Sequence, residues 1–233
     1  MRKIKTIFYY PLLSIAAILL ILIMVFFKPN TSNTIAIGDK LLLVGVFFIS
    51  CIFGISIAIY PNWWRKNKQN TYHTSNLQRA ATSRSFKGHH PDCSLFKNHI
   101  IIIKNKPQCA GCLGLIIGAL ASIFLMIIYL AITFVLSIIM YYVLLIIGIF
   151  VLIFVYIEII LVKRQTFVHI ILNGLLILSF FIITVSIIEI TKNIVYGILT
   201  ILLCFLWLDT RIHISKYQHQ SICNSCKQLC KSY

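Results

Sequence analysis

Leu113 to Val162 is an almost unbroken apolar run. It is too long for one helix and about right for two crossings of a bilayer, each needing about 20 apolar residues. Four further runs share this character: Ile7–Phe27, Leu41–Tyr60, Phe167–Ile188 and the shorter Ile194–Leu208. The chain is 60% hydrophobic and only 11% charged, with a mean hydropathy of +0.94. A soluble domain could not hide that much apolar surface, so the class is an integral membrane protein. Five runs, the longest counted as two crossings, predict an all-α fold of about six transmembrane helices.

The segments between the runs set the boundaries. Arg2, Lys3 and Lys5 precede the first run, as in a signal peptide. The run is long enough to span, however, and ends at Lys28-Pro29-Asn30 with no small-residue cleavage site, which predicts an uncleaved first helix. Residues 1–61 thus read as two transmembrane helices. Trp63-Trp64-Arg65-Lys66 marks a membrane interface. Residues 62–87 form a basic, polar linker without apolar periodicity. Residues 113–209 hold four more helices, with the turn inside the long run expected near Ser137–Tyr142. The sixth span, Ile194–Leu208, reads as short, and residues 210–233 as a Cys-rich polar tail.

Six spans put the amino terminus, residues 62–112, the 163–166 loop and the tail on one side. These segments hold three, nine, two and four Lys and Arg, so 18 of the 21 share that side. Such asymmetry predicts a multi-pass protein of the cell membrane with both termini cytoplasmic. The net charge of +16 then fits anionic lipid head groups as the first partner. Nucleic-acid binding is the sharper reading of the same charge, and the membrane explains that charge more simply.

Residues 88–114 carry the chemistry. His90-x2-Cys93 is followed by fifteen residues and Cys109-x2-Cys112, the two-pair spacing of a zinc ribbon with one cysteine replaced by histidine. Asn98–Ile103 reads as an extended run and Lys104–Pro107 as a turn, so a small hairpin would join the pairs. Gly111 and Gly114 are expected to ease the second turn. One imidazole and three thiolates would close a tetrahedral zinc site, structural rather than catalytic. His89 is the alternative to His90, and His99 an alternative or supporting group. The tail's Cys223-x2-Cys226-x3-Cys230 supplies three thiols. It reads as a second zinc site completed by His213 or His219, part of a composite site, or an iron–sulfur cluster. On the reducing cytoplasmic side, metal ligation is favoured over disulfides. Cys51 and Cys204, inside apolar runs, read as small hydrophobes.

Ala110, Gly114, Gly118 and Ser122 recur every four residues, a small-residue stripe that lets another helix approach closely. Glu158, His169 and Asn173 are polar groups near the ends of their spans. No nucleophile elbow, metalloprotease helix or phosphate loop is present. Five acidic residues leave little material for carboxylate catalysis, which argues against an enzyme.

Pro107-Gln108-Cys109-Ala110-Gly111-Cys112-Leu113-Gly114, with Gly118 beyond it, resembles the signature of an uncharacterised family of small prokaryotic multi-span membrane proteins. That signature is a Cys-His pair, a hairpin, then Pro-x-Cys-Ala-Arg-Cys-x-Gly entering a helix. Gly111 stands here for its arginine and His89-His90 for its Cys-His pair; the match covers about thirty residues. The resemblance implies a multi-span protein with a cytoplasmic metal-binding motif and carries no activity. The expected function is an interaction or regulatory module with a structural zinc site and a cytoplasmic protein partner. The alternatives are a thiolate redox or iron–sulfur protein and a metal-handling transporter or sensor.

Overall fold

The computed structural model describes residues 2–28, 35–59, 99–103, 106–132, 136–160 and 165–225. Six helices run through it: α1 (Arg2–Phe26), α2 (Ile37–Ile59), α3 (Ala110–Ala131), α4 (Ile138–Ile160), α5 (Thr166–Thr191) and α6 (Ile194–Ser225). All six are long and apolar enough to cross a membrane, and the chain is a multi-pass membrane protein. Two strands, β1 (Ile100–Ile103) and β2 (Lys106–Cys109), precede α3. Within the described residues the hairpin is this two-stranded sheet and no more.

Helix α5 is the axis of the bundle. Its span is 56% buried, against 22% for those of α1 and α2. Small residues let its neighbours approach. A Cβ added at Gly118 of α3 would lie 2.6 Å from the Gly174 carbonyl oxygen of α5, and one at Gly148 of α4 would meet Ile183 at 2.8 Å. The small-residue stripe therefore has a specific partner. Lipid tails are as apolar as leucine, so helices in a bilayer associate through such close packing rather than by escaping water. Lys192, at φ 51°, caps α5 in the left-handed conformation and donates its N–H to the Ile188 carbonyl at 2.8 Å. This cap turns the chain into α6 within two residues.

The chain alternates direction through the bundle, so polar groups collect at two ends. At the near end the Tyr10 ring of α1 stacks on His213 of α6, centroids 4.7 Å apart. Deeper at that end, the Ser14 hydroxyl donates to the Tyr156 hydroxyl at 3.1 Å and lies 3.1 Å from Thr210 Oγ1. Trp207 Nε1 donates to the Ser14 carbonyl at 3.1 Å. These bonds tie α1, α4 and α6 together.

At the far end the buried Glu189 of α5 accepts from the Tyr129 hydroxyl of α3 at 2.6 Å. Lys40 of α2 pairs with the same carboxylate at 3.3 Å, and Lys192 pairs with its other oxygen. The Lys40 ammonium also lies over the Tyr129 ring, 5.1 Å from its centroid. Four groups from three helices and one cap satisfy each other there.

Several boundaries differ from the sequence expectation. The α3–α4 turn follows Ala131 rather than falling at 137–142, and Tyr141 and Tyr142 lie in the first turns of α4. Apolar residues on both sides carry no marker for the break, while Lys28 hydrogen-bonds the Tyr142 hydroxyl at 3.3 Å, an interfacial role. The sixth span is not short. It runs on past Leu208 as part of a 32-residue helix, because Thr210 and Arg211 are buried against the bundle. The Cys-rich tail thus begins inside a helix. Glu158 lies in α4, its side chain outside the described residues.

Candidate metal-binding site at the strand–helix junction

The hairpin forms because four isoleucines, β-branched and poor at helix entry, face a strand that contains Pro107. Its register pairs Ile100 with Cys109, Ile101 with Gln108, Ile102 with Pro107 and Ile103 with Lys106. The connection is therefore two residues long, not the four of Lys104–Pro107 expected from the sequence. Cys109 is the last strand residue and, at φ −70° and ψ 121°, the N-cap of α3. Cys112 sits one turn into that helix. The pair thus spans a strand–helix junction rather than a ribbon knuckle.

The register brings His99, adjacent to Ile100, to the base of the hairpin beside Cys109. Cys109 and Cys112 are both buried, and their thiols are in hydrogen-bond contact. The His99 ring meets that of His169, from the first turn of α5, edge to face at 5.2 Å. His169 in turn covers Gly111. A Cβ there would lie 2.9 Å from His169 Nε2. Gly111 and Gly114 were expected to supply a left-handed turn. They are instead helical residues that let α5 approach, since a Cβ at Gly114 would strike the Ile170 carbonyl and the Asn173 side chain.

Behind the junction lies a buried polar bridge. Asn173 Nδ2 donates to the His169 carbonyl, one turn back along α5. Asn173 Oδ1 accepts from Arg211 of α6. Asn173 is fully buried and Arg211 only 8% exposed. The guanidinium is within electrostatic reach of Cys112. Two thiols, two imidazoles, a carboxamide and a guanidinium from α3, α5, α6 and the hairpin lie along the first turns of α3 and α5 toward the near end.

Of the residues proposed as ligands, the structure brings Cys109 and Cys112 together, while the ring of His99, one residue before the strand partner of Cys109, meets His169. His89, His90, Cys93, Cys226 and Cys230 lie outside the described residues. Cys223 is in the last turn of α6, with its side chain outside them. Twelve residues separate it from Arg211, which places it about 18 Å further along the helix axis. His213 is not gathered with the thiols; it stacks on Tyr10 and pairs with Asp209 at 3.6 Å. Among the described residues, no three His, Cys, Asp or Glu side chains already converge on one metal position.

No known protein family, curated protein or solved structure matches this chain. Its chemistry has to be argued from the junction itself. Sequence reasoning missed Arg211, placed in the polar tail, and Glu189, placed just past the end of the fifth apolar run. Cys204, Trp207, Thr210 and Arg211 are spaced three, three and one apart, which continues one helix face past Leu208. That spacing was the available signal.

Proposed function

We propose that this is a cell-membrane protein, termini cytoplasmic, whose strand–helix junction holds a structural zinc ion and serves as an interaction or regulatory module. The observation that supports this most is the contact between Cys109 and Cys112 at the base of the hairpin. Two thiolates in contact are half of a tetrahedral zinc site, and His90 and Cys93 supply the other half by their spacing. His99, one residue before the strand partner of Cys109, is the alternative imidazole ligand. The bound ion would be a Lewis acid with all positions filled, which locks the hairpin to α3 rather than activating water. A zinc site rich in thiolates carries excess negative charge, and Arg211 is placed to balance it. The family resemblance of residues 107–118 points the same way.

Elemental analysis of protein purified without added metal tests the reading. Zinc at about one per chain is expected, and Cys109→Ser should lose it while Cys51→Ser keeps it. The melting temperature in detergent should fall with Cys109→Ser, and chelation of the wild type should reproduce that fall. Protein without zinc would end the reading, and iron with acid-labile sulfide would replace it with a redox role. Labelling of Cys226 from outside intact cells would overturn the topology.

A further inference from the structure

Helices α2 and α6 touch near the far end, where a Cβ on Gly197 would lie 2.7 Å from the Leu43 side chain. Toward the near end they enclose a cavity of about 70 Å³, backed by α3 and α5. Phe47, Cys51, Ala119, Phe180 and Cys204 form its buried walls. Its rim is half-buried and runs through Ser50 and Gly54 of α2 and Phe205 and Leu208 of α6. The Ser50 hydroxyl is already engaged, donating to the Val46 carbonyl at 2.7 Å.

The space is large enough for several waters, but a buried water needs two to four polar partners, and beside its apolar groups and two thiols the lining offers the hydroxyls of Ser50 and Thr184 alone, too few to hydrate the whole space. Left empty, the lining would forfeit its dispersion contacts. Inside a bilayer the material at hand is the lipid tail, which pays no desolvation penalty on entering an apolar slot. The cavity spans the middle of the bundle and leans toward the near end, where Ser50, Cys51 and Gly54 of α2 and Leu115 of α3 line it, and 18 of the 21 Lys and Arg are expected on that side. A lipid whose tail enters there has its head group on that basic side, which favours an anionic one. We infer that the α2–α6 cavity holds one acyl chain of an anionic phospholipid.

Trp207 reports on this site because its ring stacks on Phe180, a wall of the cavity, at 6.4 Å between centroids. It is fully buried, so bulk lipid does not reach it. Trp63→Phe with Trp64→Phe leaves it the sole tryptophan of three. That protein would be placed in phosphatidylcholine vesicles containing acyl-brominated phosphatidylglycerol or acyl-brominated phosphatidylcholine. Trp207 fluorescence should be quenched at about fivefold lower mole fraction of the anionic lipid, the preference that a single head-group contact with a Lys or Arg of the basic side would confer. Gly54→Leu fills the slot without strain, since a Cβ there meets nothing within 4 Å, and should remove the quenching. Phe205→Ala widens the mouth and should increase it. Quenching that neither variant changes would overturn the acyl-chain site. Equal quenching by both lipids would overturn the anionic preference.

Discussion

The two ends of the bundle solve the problem of polar groups in a membrane differently. At the far end Glu189 meets two ammonium groups and a phenol, so opposite charges are matched within one cluster. At the near end Arg211 is held by a neutral carboxamide and lies near a dithiol pair. The first arrangement is complete with the residues present and works as a clasp between α2, α3 and α5. The second gathers a cation with groups that become anionic only when they lose protons, as they do on binding a metal. The far cluster is closed with its charges matched, whereas the near one sets a cation beside groups that still have protons to lose.

The comparison can be broken in several places. The largest effect is expected at the near end from Asn173→Leu, which removes the acceptor of the buried Arg211. A loss of about 3 kcal/mol in unfolding free energy is expected in detergent denaturation. Adding Arg211→Leu should recover part of it, because an apolar pair replaces a broken polar one. If the double variant is worse by the sum of both losses, the two residues do not act as a bridge. Glu189→Gln comes next, at about 2 kcal/mol. It is milder because Lys40 and Lys192 are partly exposed, at 24% and 31% of their side chains, and can snorkel to water. Chelator should leave the Glu189→Gln loss unchanged and should enlarge no other far-end defect. Ser14→Ala should cost about 1 kcal/mol, the worth of its bonds to Tyr156 and Thr210. Lys28→Met, which removes only the exposed contact with Tyr142, should change stability by less than about 0.5 kcal/mol.

The spans were readable because burial in lipid demands long apolar runs whatever the tertiary packing. The stripe from Ala110 to Ser122 was readable because spacing alone fixes a helix face. Its partner on α5 was not, since Gly174 sits in a span where small residues are scattered. The hairpin was visible as four isoleucines before a turn, but its register depended on Pro107 accepting a strand position. Arg211 and Glu189 were missed for one reason. A charge at the edge of an apolar run looks like the end of a helix until its partner, here Asn173 or Lys40, is known. The Cys109–Cys112 junction was legible as a pair, whereas the approach of His169 is a product of helix packing.

Helix α6 has 32 residues, about 48 Å of rise against a hydrocarbon core of about 30 Å. Its last fourteen residues after Arg211 form a rod about 21 Å long. Arg211, held to Asn173, is the fulcrum. A tilt of about 10° at that point would swing the last turn, which carries Cys223, by about 3 to 4 Å. Small changes in how α6 leans on α5 would therefore arrive at the tail magnified, as at the tip of a lever.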